Sequence, residues 1–377
     1  MSGVETLYSK IEEGRKGKNL GLKTGLPHLD WYTGGFQKGV YKLVYGVSGS
    51  GKSSVVVYAD IYRILKDYPD KNILYVYFSL EMNESVLLAK ILSLYLYDTY
   101  GMELSFMDLM SIRTPMLDED YEKVLEAKHW LDSISNKFII FDKQLSADGF
   151  YASMKEILKQ HGEFSKSDDG RRVTYIPKDS EQIINVVLDH AGLLLNSKGR
   201  DKKQEIDLCS QYCVWFRETC GVSFDFIMQE NRNAGNIDRQ KMNMSESTLD
   251  DVKDSGNPVN DANVIIAVYY PIKYQLKTYR DYRIVDNKET GEPGLGSAMR
   301  SLILLKHRFG NANKVFPVAF QGSVGRFEEL PSPDQVDYNK YQSWKEDKMK
   351  EELNNEKDLN IKDESNKLTP NKVKFSF

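Results

Sequence analysis

The chain has 377 residues, room for about two domains on length alone, although α/β units of this size also fold as one. Hydrophobic residues at 41% and charged residues at 28% are the balance of a soluble globular protein, and no apolar run approaches the roughly 20 residues of a membrane span, which excludes a helical membrane protein. A net charge of −4 excludes attraction to polyanions through overall charge, but it leaves open a local positive patch.

Residues 1–19 are polar and charged, unlike a signal peptide, and read as a short linker helix around residues 5–13. From residue 20 to 330 apolar strand-like runs alternate with helical patterns, the runs falling at 42–45, 72–79, 137–142, 183–189, 223–229, 262–270, 301–307 and 315–320. That rhythm predicts an α/β fold with a twisted, largely parallel sheet flanked by helices on both faces, and it puts ligands at the C-terminal ends of strands. Two polar stretches interrupt it: residues 163–182 read as an inserted loop or hairpin, and residues 233–260, rich in Asn, Asp, Ser and Gly, as a long functional or disordered loop. Residues 331–377 form the third segment, which becomes dense in Lys, Glu, Asp and Asn after Trp344 and reads as a solvated, flexible tail ending in VKFSF. Cys209, Cys213 and Cys220 share one helical face with Ile206 and Phe216 and with no histidine, so they read as core packing rather than a metal site, and as reduced thiols they point to the cytoplasm.

The stretch VYGVSGSGKSSV at residues 44–55 carries the first chemistry. Gly46, Gly49, Gly51, Lys52 and Ser53 fit G-x-x-x-x-G-K-[ST] between an apolar run and a helical pattern, the context this motif requires; a glycine-rich surface turn is the bland alternative. Backbone N–H groups of Val47, Ser48, Ser50 and Ser54, with the glycines, would surround phosphate oxygens at a helix N-terminus. Lys52 would contact the β and γ phosphates of ATP or another NTP, and Ser53 would ligate Mg²⁺. The run NILYVYFSLEM then delivers Glu81 at a strand end, where a carboxylate can accept a proton from attacking water, and INVVLDHAGLLL delivers Asp189, which can hold the metal through its water shell. Each acid alone reads equally well as a cap or surface group, but in this order after the loop they form a catalytic set. SFDFIMQENR offers the amide of Gln229 as a γ-phosphate sensor, and SLILLKHRFG ends in Lys306 and Arg308, two cations on one face of an extended chain.

With these residues in hand, the chain resembles the C-terminal motor domain of DnaB-type replicative helicases, hexameric RecA-fold enzymes of superfamily 4. The lead-in TGLPHLDWYTGGFQKG, the string FSLEM, the strand VVLDHAGLL, IMQENR, DSGNPVNDANVI, KHRFG and the closing VAFQGSVGRFEEL are similar to the family's motifs in family order, over about residues 20–330. The resemblance implies a ring with nucleotide bound between neighbours, Glu81 as catalytic acid, Asp189 as Walker B acid, and Lys306 and Arg308 reaching into the adjacent subunit's site. It implies single-stranded DNA in a central pore, held by Lys253, Asp254, Ser255 and Gly256 with Arg232, Arg239 and Lys241 nearby, and a motor moving 5′ to 3′ on forked DNA. Partners implied are six copies of the chain, with primase, polymerase or single-strand-binding protein as replisome neighbours and no membrane.

Departures from the pattern are as informative. Only some twenty residues precede the motor where DnaB proteins carry a helical domain that recruits primase, and this minimal, tail-bearing form points to a phage or other mobile-element protein in its host's cytoplasm. His190 stands where the family more often has Tyr and reads as a packed histidine; Asp254 replaces the family Glu. YYPIKYQLKTYRDYR, residues 269–283, interleaves Tyr with cations and could stack bases, but it reads better as a packed edge hairpin. The competing functional class is a RecA-, RadA- or KaiC-like ATPase that coats DNA without unwinding it, disfavoured by FSLEM and KHRFG.

Overall fold

Strand β1 (Tyr41–Gly46) is apolar on both sides: Tyr41, Leu43 and Tyr45 enter one hydrophobic core and Val44 the other. A strand buried on both faces belongs in the middle of a covered parallel sheet, and that is where β1 lies. The computed structural model describes residues 3–167, 173–231, 245–253 and 256–345. In chain order, α1 (Gly3–Arg15) and α2 (Pro27–Thr33) precede β1, and α3 (Lys52–Val56) runs through a π-helical turn at Val57–Tyr62 into α4 (Arg63–Asp67). Strand β2 (Ile73–Ser79) leads to α5 (Glu84–Tyr100), α6 (Phe106–Leu109) and α7 (Asp118–Ser135), then β3 (Phe138–Phe141) to α8 (Ala147–His161). The expected insertion is an antiparallel hairpin of β4 (Gly162–Lys166) and β5 (Val173–Pro177). Next come β6 (Ile183–Asp189), α9 (Lys202–Cys220), β7 (Ser223–Gln229), a short helix Asn257–Asp261 and β8 (Val264–Tyr269). The small hairpin β9 (Thr278–Tyr279) and β10 (Tyr282–Arg283) precedes β11 (Met299–His307), β12 (Lys314–Gln321) and β13 (Arg326–Glu329).

The main sheet runs β13-β12-β11-β8-β1-β7-β6-β2-β3. Neighbours from β3 to β8 pair in parallel, whereas β11, β12 and β13 pair antiparallel. The expected largely parallel α/β sheet is therefore present. Its antiparallel edge has a consequence for the site: β11 runs backwards, so its C-terminal end lies level with the start of β1, His307 pairing with Val264 and Val264 with Lys42.

Helix α9 starts at Asp201, whose side chain accepts from the Gln204 backbone while Gln204 reaches back, a reciprocal cap of the kind expected at an exposed helix start. Cys209 and Cys213 on it are buried in the core with Ile206 and Phe216, as their spacing suggested. Under β1, on the face opposite those cysteines, the half-buried Lys42 lies between the buried Asp60 at 2.5 Å and Asp225 at 3.3 Å, with Asn185 donating to Asp225 at 2.8 Å.

Two expectations shift. The folded body runs past residue 330, because a 3₁₀ turn at Tyr338–Trp344 inserts Tyr341 and Trp344 into the core and Lys345 pairs with Asp286 at 2.6 Å; aromatic rings override the polar look of their neighbours. The Tyr-rich segment is a packed element rather than an edge of the main sheet. Tyr269, Tyr270, Tyr274, Tyr279 and Tyr282 are all buried, and Arg280 pairs with Glu246 at 2.8 Å. No residue of α1 is buried, and it presents Val4, Leu7, Tyr8 and Ile11 to solvent, a stripe at helical spacing.

Candidate nucleotide site

The loop after β1 is shaped by its neighbours. A Cβ on Gly46 would sit 2.5 Å from the Val268 carbonyl oxygen and 2.8 Å from Ser50 Oγ, so no larger residue fits without displacing backbone. Gly51 has φ +96°, a conformation L side chains rarely adopt, and backs onto Phe320 and Phe327, whose stacked rings (centroids 4.5 Å apart) form a rigid floor. Loop and helix start open into a pocket of about 650 Å³ lined by Ser48, Gly49, Gly51, Lys52, Ser53, Ser54, Glu81, Met82, Lys90, Asp189, His190 and Gln229. The strand ends of β1, β2, β6 and β7 thus converge where a doubly wound sheet binds its ligands.

Within the pocket, Ser53 Oγ donates to Asp189 Oδ1 at 2.8 Å, and the buried Tyr77 hydroxyl donates to Asp189 Oδ2 at 2.8 Å. Burial, followed by the negative charge of Asp189, pushes the Tyr77 hydroxyl well above its ordinary range, so it stays a donor and fixes the carboxylate. A serine hydroxyl and a buried carboxylate in contact are hard oxygen donors of the kind Mg²⁺ takes, so the set fits that ion. Lys52 Nζ donates to the Val47 carbonyl at 2.9 Å, folded over the loop. Burial lowers its pKa, and the charges of Asp189, Glu81 and Glu230 oppose that. Glu81 lies exposed on the turn after β2, where Ser79 Oγ closes onto the Met82 carbonyl at 2.6 Å.

Gln229 ends β7 at the same pocket, and the chain beyond it returns. Lys253 N–H donates to the Gln229 carbonyl at 3.0 Å, Asn231 N–H to the Asp251 carbonyl at 2.7 Å, and Glu230 bridges to Val252. Lys253 is exposed beside Gln229, His190 and Lys202, and Gly256 caps the short helix Asn257–Asp261. Arg232, Arg239, Lys241, Asp254 and Ser255 lie outside the described residues. Lys306 and Arg308 are not brought to this pocket. Lys306 Nζ donates to the Val259 and Asn260 carbonyls at 2.8 Å and Arg308 to Asn260 at 3.1 Å, at the opposite end of the strands, level with the start of β1.

Two pocket residues, Lys90 and His190, and one behind the loop, Glu230, escaped the sequence reading or were undervalued by it. Lys90 projects from α5, its amine 3.2 Å from Met82 Sδ and its pKa lowered by burial; a lysine in mid-helix carries no signal of this. His190, expected to be merely packed, lines the pocket beside Asp189, and burial lowers its pKa so that it is neutral at pH 7. Glu230 is buried and donates its N–H to the Gly46 carbonyl at 2.9 Å, tying β7 to the loop.

A phosphate-type loop at the switch point of a covered parallel sheet, with a Ser–Asp pair beneath it, defines a nucleotide-binding domain of RecA-like architecture. Residues 21–329 match the family model for the DnaB-like helicase C terminal domain, and the chain belongs to that family. Among curated proteins it is similar to the replicative DNA helicase DnaB of Helicobacter pylori, at 23% identity over 86% of this chain and 63% of that protein, and to DnaB of Mycoplasma genitalium, at 24% over 87% and 60%. The chain thus spans somewhat under two thirds of the curated relatives it matches. Its fold is shared with a solved ATPase domain (TM-score 0.65, 19% identity, 88% of this chain and 99% of that one) and with the structure of a DnaB-like replicative helicase studied with primase (0.61, 20%, 88% and 67%). No helix among the described residues is long and apolar enough to cross a membrane.

Proposed function

We propose that this chain is the motor of an ATP-driven DNA helicase that works as a ring of identical copies, translocates on single-stranded DNA 5′ to 3′ and separates the duplex ahead. The observation that carries the reading is the division of its functional residues. Lys52, Ser53, Glu81, Asp189 and Gln229 meet in one pocket, while Lys306 and Arg308 sit at the far end of the strands of the same sheet. A finger that cannot reach its own pocket is suited to a neighbour's.

In this mechanism the loop N–H groups and Lys52 would bind the phosphates, and Ser53 with Asp189 would hold Mg²⁺, which would neutralise phosphate charge. Glu81 takes the proton of the attacking water, and the neighbour's Arg308, seconded by Lys306, stabilises charge spreading over the transferring phosphoryl group. Gln229 senses the γ phosphate. Its carbonyl accepts from Lys253, so a shift at the end of β7 passes directly to residues 251–253 and on toward Asp254, Ser255 and Gly256, which with Arg232 contact the DNA backbone. Repeated around an axis, Lys253 makes a positive lining in a chain of negative net charge. The apolar stripe of α1 packs on an adjacent copy and helps hold the ring.

The test is unwinding of a forked DNA by the purified chain with ATP and Mg²⁺, alongside mass measurement of the assembled species. Unwinding by a ring supports the reading; DNA-stimulated hydrolysis on a filament without strand separation would replace it with a coating ATPase.

A further inference from the structure

Arg300 is the second residue of β11 and is fully buried. Its Nε donates to the Ser50 carbonyl at 2.8 Å and its Nη2 to the Gly49 carbonyl at 3.3 Å, both in the phosphate loop. Its Nη1 donates to the Ser297 carbonyl at 2.5 Å, in the turn that closes the Tyr-rich segment, and to the Met299 carbonyl at 2.8 Å, at the start of β11. The guanidinium carbon lies 3.3 Å from the ring centroid of Tyr270, the first residue after β8, and 5.1 Å from that of Phe320, so the insertion it braces is residues 270–298, between β8 and β11. A buried guanidinium is costly unless its N–H groups are matched. Here one planar fork matches carbonyls of two separate segments.

The geometry has a direct consequence for the loop. In a trans peptide the C=O of one residue and the N–H of the next point opposite ways. Holding the Ser50 carbonyl against Arg300 therefore turns the Gly51 N–H to the other side of the loop, away from the guanidinium. The fixed positive charge behind Gly49 and Ser50 also raises the potential felt by an anion there.

We propose that Arg300 is a positioning residue for nucleotide: it presets the phosphate loop from behind and joins that loop to residues 270–298, so that loading of the pocket and the order of the insertion are coupled. The proposal rests on the nucleotide reading of the loop and goes beyond it in naming a bracket and a second segment that responds. A merely structural Arg300 would staple the insertion without altering affinity for nucleotide.

Two measurements decide it. Binding of ADP with Mg²⁺ is measured by calorimetry for the wild type, Arg300→Met and Arg300→Lys, with circular dichroism as the check on folding. Arg300→Met binds at least about tenfold more weakly, and Arg300→Lys, which keeps the charge but loses the fork, restores little of it. Unchanged affinity in a folded Arg300→Met, or full recovery with Lys, overturns the proposal. Hydrogen exchange on the wild-type chain, with and without ADP, needs no variant to fold. Slowed exchange at both residues 46–54 and 270–298 is the expected result. Slowing confined to residues 46–54 overturns the coupling and leaves the nucleotide reading standing, whereas slowing at neither removes the reading itself and the proposal with it.

Discussion

Lys52→Ala and Arg308→Ala remove opposite halves of one site if that site is divided between neighbouring copies. Within one chain the halves cannot meet. His307 is level with Lys42 through Val264, so Gly46 lies four strand residues further along, about 13 Å, and two strands across, about 10 Å, or about 16 Å away in all. Arg308 is one residue beyond His307 and holds the Asn260 carbonyl at that far end of the strands. Lys52→Ala should abolish hydrolysis, and Arg308→Ala should keep nucleotide binding while losing about 10³-fold or more of turnover, the scale of an arginine finger. In rings assembled at random from equal amounts, half the pockets carry an intact Lys52 and half of those face an intact Arg308, so about a quarter of wild-type sites are rebuilt. Phosphate release with single-stranded DNA present, measured across mixing ratios, should rise from near zero at both ends to that maximum at equal mixing. A flat baseline at every ratio, in rings that native mass spectrometry shows to be mixed, would refute the divided site; so would full turnover by monomeric Arg308→Ala.

Gly46→Ala should weaken ADP binding at least about tenfold in a calorimetric titration, because its Cβ would lie 2.5 Å from the Val268 carbonyl and push the loop off its strand; wild-type affinity would contradict the packing described for that turn. Trp344→Ala should destabilise the chain by about 3–5 kcal/mol in urea unfolding, the cost of emptying a buried aromatic site, and a loss near zero would return residues 331–345 to the flexible tail. Asp60 gives a pH signature: burial pushes its carboxyl up to about 7, Lys42 opposing and Asp225 adding to the rise. Between pH 7 and the ordinary carboxylate value near 4, the folded chain holds a proton that the unfolded chain has released, so this group favours folding progressively as pH falls and adds nothing further above pH 7. Asp60→Asn lacks it. The unfolding free energy of the wild type minus that of Asp60→Asn should therefore grow toward pH 4 by up to about 1.4 kcal/mol per pH unit, and a difference that is flat or shrinks would show that Asp60 is ionised when folded.

The parts of the site legible in the sequence were those in which one short stretch contains its own geometry. A strand, a glycine turn and a helix start in succession are enough to place Lys52 and Ser53, and an acid or amide ending an apolar run is enough to put Glu81, Asp189 and Gln229 at one edge of a parallel sheet. Periodicity, however, carries no sign for direction: the run at 301–307 reads the same whether it ascends or descends, and only its pairing with β8 shows that Arg308 ends far from the loop. Charge balance misleads in the same way between residue 331 and Trp344, where the rings of Tyr341 and Trp344 decide the packing of an otherwise polar segment. Arg300 was invisible for a further reason: an arginine preceding an apolar strand is the ordinary mark of a surface edge, and nothing local distinguishes it from one whose acceptors lie 250 residues earlier. The same long-range closure links the antiparallel edge to both ends of the sheet, since β11 begins at the loop's carbonyls with Arg300 and ends at Arg308. If Arg308 serves a neighbouring copy as proposed, this one strand, bulged between Leu304 and Lys306, runs from the pocket of its own chain to the residues offered to the next, a route between the two sites that does not pass through the DNA.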